Sequence, residues 1–189
     1  TITDASISAE QLNSLDAKTS LDITTAATTI TGAPAAIVTA YASNSIKGLG
    51  NEAITPTGAI TVTQANTLNA LTPGVVTATI SNTDMATLAG LTLNLDSNGV
   101  QVNNGATPPV AVENVYTIAP AGVVSAAALT TLNTKSSANI DATNITTLTG
   151  TLAEVGAVYT STGYQAGIAN IADKVVTISD TGSLDADLF

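Results

Sequence analysis

Short runs in which Ile, Val or Leu alternate with Thr or Ser recur along the chain, and each is followed by an Ala-rich stretch whose apolar residues fall three or four apart. The first spacing, a period of two, predicts a half-buried strand; the second predicts a short helix with one apolar face. In ITDASISAEQLNSLDAKTS, which starts at Ile2, Ser8 stands where it caps a helix, Glu10 and Gln11 fill the first turn, and Leu12 and Leu15 share a face. Further on, Gly150 or Thr151 precedes Leu152, Val155, Val158 and Tyr159, spaced i, i+3, i+6, i+7, and Gly163 supplies a C-terminal stop. Short strand plus short helix, repeated, predicts an α/β repeat of solenoid-like character. The alternative is an all-β solenoid or sandwich, because Thr, Val and Ile dominate. Ala-rich stretches such as APAAIVTAYAS and SAAALTTLN argue for helices, since Ala is a good helix former and a poor strand former.

The same pattern returns at a longer interval. Segments starting at Ile2, Ile54 and Tyr116 align, and VTISDTGSLDADLF begins again at Val176. Gly32 and Gly150, Tyr41 and Tyr159, and Ile46 and Tyr164 are each 118 residues apart, room for two periods of 59. The chain divides accordingly into copy one at 1–53, a divergent copy two at 54–115, copy three at 116–175 and the start of a fourth at 176–189. Copy two keeps TDMATLAG, whose Gly90 falls between Gly32 and Gly150, and then departs into the segment 91–115. There Asn98-Gly99, Asn104-Gly105 and Pro108-Pro109 read as tight turns.

Composition then narrows the chemistry. With no His, no Cys and only four basic residues, all lysines, the chain lacks the usual general base, the thiol nucleophile, soft metal ligands and the arginine clamps of phosphoryl transfer. No enzymatic motif is present, so we expect no catalysis. A formal charge of -10 without a basic stripe argues against nucleic acid. No apolar run is long enough to insert in a membrane. Apolar residues at 44% suffice for a core, and aromatics at 3% make that core one of small aliphatics, which suit thin stacked layers. A surface of Thr, Ser and Asn with 10% charged residues fits an exported protein. The chain opens at Thr1 without Met or leader, as a mature product or excised fragment does.

The strings QLNSLDA, GLGNEAIT, IDATNITTLTGT, AEVGAVYTS and VTISDTGS together resemble the long tandem repeats of giant surface proteins of marine cyanobacteria and of appendage proteins of phages that infect them. The resemblance rests on Leu12 to Asp16, Gly48 to Ala53 and Ile145 to Gly150, and covers copies one and three almost wholly and copy two in its first half. It implies an extracellular, cell-surface or virion-surface location and a spacer, stalk or fibre role, with no catalytic residue carried over. The partners expected are the chain itself, neighbouring repeats or neighbouring subunits.

Calcium is the only cofactor the composition invites, because Asp, Asn and backbone carbonyls suit a hard cation. The oxygen-rich stretches are Asp96 with Asn98, and Asp180 with Asp185 and Asp187; turn chemistry and helix capping explain them better than calcium does, so the expectation is no cofactor. An adhesin or receptor-binding module is the alternative function. It would use the loop 91–115, with Asp96, Asn98, Asn103 and Asn104 toward a cell-surface receptor or glycan. Thr1-Ile2-Thr3, Thr29-Ile30-Thr31 and Thr61-Val62-Thr63 raise ice binding as a remote alternative, but Thr alternating with Ile is also a plain half-buried strand, and their spacing is irregular. A polysaccharide-acting solenoid is remoter still without His or Arg. Tyr41 and Tyr159 read as core residues beside Val38 and Val158, and Lys18 and Lys135 as marks of an exposed turn after a helix.

Overall fold

A computed structural model describes residues 1–94, 113–160 and 167–181. The described elements begin with β1 (Ser6–Ser8), α1 (Ala9–Asp16), β2 (Ile23–Thr24), β3 (Thr29–Gly32), α2 (Pro34–Ala42), β4 (Ile46–Lys47), β5 (Ala53–Pro56), β6 (Ala59–Ile60) and α3 (Val62–Asn69). They continue with β7 (Thr77–Ile80), α4 (Met85–Leu88), β8 (Val115–Thr117), β9 (Gly122–Ser125), α5 (Ala126–Asn133), β10 (Ile140–Asp141), β11 (Ile145–Gly150), α6 (Leu152–Tyr159), β12 (Ile168–Ala169) and β13 (Val175–Ile178). Two compact units result: Thr1–Thr79 with Thr92–Val115, and Ile80–Leu91 with Tyr116–Phe189. The class is mixed α/β, with short parallel strands in small sheets, none of them closed. The all-β alternative is overturned by the helices, which form where Ala-rich segments follow a capping residue.

In the first unit β3 lies between β1 and β5, all parallel, with Ile7 opposite Ile30 and Ile30 opposite Ile54, steps of 23 and 24 residues. Ile23 of β2 faces Ile46 of β4 in the same way, a step of 23. Helix α1 packs on α2, and α2 on α3. The second unit repeats the plan: β11 lies between β9 and β13, with Val124 opposite Leu148 and Leu148 opposite Val176, steps of 24 and 28. There α4 packs on α5, and α5 on α6. A parallel pair needs a crossover of a dozen or more residues, and each short helix supplies one. One layer of strand and helix is thus shorter than the 59-residue interval of the sequence.

Among the described helices four begin alike, and five bury their fourth residue. Ser8, Thr61, Ser125 and Thr151 each accept a hydrogen bond at their side-chain oxygen from the amide three residues on. Such a cap is worth about 1 kcal/mol. The fourth helical residue is Leu12, Ile37, Ala65, Leu129 or Val155, and all five are fully buried. Burying a Leu, Ile or Val side chain stabilises by about 1.5–3 kcal/mol, so this row anchors the helices to their strands. The seventh residue is buried as Ala40, Leu68, Leu132 and Val158, but Leu15 at that position is 43% exposed. The expectation that Leu12 and Leu15 pack alike is corrected: Ala9 and Leu12 make the core face of α1.

Helix α2 has no side chain of its own to cap it, since Ala33 precedes Pro34. Glu10 of α1 does this from the neighbouring layer, its Oε1 accepting from Ala33 N–H at 2.7 Å. Gly32 makes that possible: its φ is +129°, and a Cβ there would lie 2.4 Å from the Glu10 carboxylate. Gly150 precedes Thr151 in the same place, and a Cβ would lie 2.9 Å from the carboxylate of Glu154, which accepts from Thr151 N–H. Gly90 instead follows α4, so its alignment with Gly32 and Gly150 joins positions of different local structure.

Candidate functional site

Of the oxygen-rich residues singled out for calcium or for a binding loop, Asp180 alone is described. Its Oδ2 accepts from Leu152 N–H at 2.6 Å, so it supports the start of α6 from β13's end, much as Glu10 supports α2. Asp96, Asn98, Asn103, Asn104, Asp185 and Asp187, and with them most of the loop 91–115, lie outside the described residues, as does Gly163. Among the described residues no group of three or more acidic, His or Cys side chains is placed to hold a metal ion. No helix among them is long and apolar enough to cross a membrane.

The Thr-x-Thr pairs separate structurally. Thr29-Ile30-Thr31 is strand, with Ile30 buried between half-buried threonines. Thr61-Val62-Thr63 is a helix start, Thr61 being the cap of α3, so it contributes nothing to a flat threonine face. Lys18 and Lys135 follow α1 and α5 at matching turn positions, each donating its backbone N–H three residues back, to Leu15 and Leu132.

The last position of the core face carries a polar residue in every one of the five longer helices: Asp16, Tyr41, Asn69, Asn133 and Tyr159. Four of them are tied to the chain beyond. Asp16 accepts from the hydroxyls of Ser43, at 2.9 Å, and Ser45. Asn69 donates to Leu93 O at 2.8 Å and accepts from Asn114 Nδ2 at 2.7 Å, while Asn114 Oδ1 takes the amide of Val76. Tyr41 Oη donates to Glu52 Oε2 at 2.7 Å, and Tyr159 Oη to Ile171 O at 3.4 Å. The tyrosines are therefore not simple core residues. Tyr41 is half-buried and Tyr159 is 39% exposed, with the hydroxyl as fastener; among the described residues Tyr116 is the tyrosine that fills the core.

Glu52 is the residue that sequence reading passed over. It is buried, yet no cation is paired with it; its Oε2 accepts instead from Tyr41 Oη and from Gly50 N–H at 2.7 Å and Asn51 N–H at 3.1 Å. Burial pushes the Tyr41 phenol up, and the adjacent carboxylate pushes it further. Gly48 and Gly50 turn the loop with φ of +88° and +141°, and a Cβ on Gly48 would meet Thr25 O, so the GLGNE string closes round its own acid. This is a fold-fixing arrangement with no nucleophile or general base facing open space.

Two places among the described residues combine apolar side chains with open space. A hollow of about 340 Å³ at the β1 end of the first unit is lined by Ile2, Asp4, Ser6, Ile7, Gln11 and Leu15. In the second unit Val175 and Val176 of β13 are 63% and 38% exposed, although Val176 stands opposite the fully buried Leu148. Comparison with protein-family models, with curated proteins and with solved structures returns no match.

Proposed function

We propose that the chain is a non-enzymatic structural module of an extracellular or virion-surface appendage, a spacer, stalk or fibre component whose solenoid-like layers act by stacking. What supports this reading is the repetition of one interface: the inward residue of each paired strand is Ile7, Ile30 and Ile54 in one ladder and Val124, Leu148 and Val176 in the other. Each layer offers its neighbour the same aliphatic row, a surface suited to being covered by another layer like itself. The positions beside it, Ser8, Thr31 and Thr55 and again Ser125, Thr149 and Thr177, are hydroxylated in register, which solvates the strands with little charge.

A glycan array probed with the intact chain and with a variant deleted over 98–109 tests the reading. The structural module shows no saturable binding in either form. Saturable binding by the intact chain, abolished by the deletion, replaces it with the adhesin alternative. No metal is required on this reading, so EDTA leaves the melting temperature unchanged; a drop of several degrees restored by Ca²⁺ contradicts that part.

A further inference from the structure

Sheet edges in natural proteins are usually guarded by Lys, Pro, bulges or inward charges, because an open edge recruits another strand. Two edges here carry none of these. β1 is Ser6-Ile7-Ser8 and β13 is Val175-Val176-Thr177-Ile178; each is the outer strand of a three-stranded parallel sheet and, among the described residues, is bonded on one side only. Their inward residues continue the buried columns yet are not closed over by the described residues. Ile7 is half-buried where Ile30 and Ile54 are closed, and Val176 is exposed where Val124 and Leu148 are closed.

We propose that β13 of one copy of this chain docks on β1 of a second copy, a head-to-tail contact. This rests on the reading of the layers as a stacking repeat, and it names the partner. The direction of the ladders selects a second copy in this orientation. In both sheets successive strands are added in chain order, so the open side of β13 is where a following strand belongs, and the open side of β1 is where a preceding strand belongs. Joining them keeps every strand parallel and sets Val176 beside Ile7, as Leu148 is set beside Val176 within one chain. Two copies meeting β1 to β1 would instead have to pair antiparallel, unlike the registered pairs β1, β3 and β5 already make. Ile2, Ile7 and Leu15, with Asp4, Ser6 and Gln11, line a hollow at the β1 edge, and Val175 and Val176 are exposed on β13. A heterologous contact of this kind leaves one of each edge free at the ends, so it propagates beyond a dimer unless the rotation closes a ring. The formal charge of -10 on each copy opposes the contact, so added salt strengthens it.

Sedimentation velocity over a wide concentration range, with two edge variants, tests this. The unaltered chain grows with concentration past the dimer. Ile7→Lys and Val176→Lys each place a charge in the contact, raise the apparent Kd on the order of thirtyfold or more and run as monomers alone. Mixed one to one, they form a heterodimer and stop there, because the intact β13 of the first meets the intact β1 of the second. Should either variant lose the wild-type circular dichroism, the exposed edge positions Ser6→Lys and Thr177→Lys replace them in the same scheme. An unaltered chain that stays monomeric overturns the inference, as does a single variant that still dimerises or a mixture that stays monomeric. A monomer that also binds no glycan removes this contact and leaves the structural-module reading standing; glycan binding by a head-to-tail assembly does the reverse.

Discussion

Ile30 and Ile7 stand opposite each other on adjacent strands, yet Ile30 is closed from solvent and Ile7 is not. The same holds for Leu148 and Val176 in the second unit, and Leu132 and Leu15, each seventh in its own helix, differ likewise in exposure. Residue type does not separate these pairs; the presence of a covering layer does. Interior positions take their stability from neighbours on both sides, edge positions from one, and among the described residues β1 and β13 each have a neighbouring strand on one side only.

Substituting the paired isoleucines exposes that difference most strongly. Ile30→Ala should cost about 2–5 kcal/mol in urea unfolding, because it opens a cavity in a closed row, while Ile7→Ala should cost less than about 1.5 kcal/mol. Equal losses would mean that the edge layer is covered after all. Next in size is Glu52→Ala, which strands the Tyr41 hydroxyl and two amides without their acceptor and should destabilise by about 1–3 kcal/mol in the same assay. A neutral result would show that water replaces the carboxylate freely.

The two tyrosines sharpen the contrast between a fastened and an unfastened polar group. Tyr41→Phe removes a made hydrogen bond and should cost about 0.5–1.5 kcal/mol. The Tyr116 hydroxyl is buried without a partner among the described residues, so Tyr116→Phe should cost nothing or raise the melting temperature. Reversal of that order would refute the assignment of Tyr41 as a tie and Tyr116 as plain filling.

Acidity has the smallest effect. Glu10 is held below the usual carboxylate range by the Ala33 amide, Asp84 by the Thr87 amide, and Asp141 by the Thr143 and Asn170 side chains. A carboxyl whose pKa is depressed on folding contributes stability that is present above its unfolded value and lost as pH falls through the folded one. Tyr41 and Tyr116 are raised, so their contribution is present below the unfolded phenol value and lost above it. With no His, the melting temperature should be flat between about pH 5 and pH 9 and fall on either side. A step near pH 6.5 would contradict this.

Local chemistry was well legible in the residues. Ser8 caps α1 as its position indicates, α6 starts after Thr151, and Thr29-Ile30-Thr31 is a half-buried strand. What a single layer does not reveal is which side its neighbours take. Leu15 has the spacing of a core residue, and Tyr159 sits where apolar residues sit, but their burial depends on whether chain lies over them. Thr61-Val62-Thr63 alternates like a strand, yet Gln64 Oε1 accepts from Thr61 N–H at 2.9 Å and turns the segment into a capped helix start. Glu52 was in view within GLGNE, but a buried acid held by a distant tyrosine and its own loop leaves no periodic trace. The calcium and binding-loop residues other than Asp180 fall outside the described chain.

Hydrogen exchange followed by mass spectrometry, at a dilution where the chain is monomeric, tests the layered arrangement most directly. Exchange should be slowest in β3 and β11, each bonded on both sides, and fastest among the sheet strands in β1 and β13. Protection of β1 and β13 equal to that of β3 and β11 in the monomer would contradict the claim that neighbouring layers, one upon the next, hold this fold.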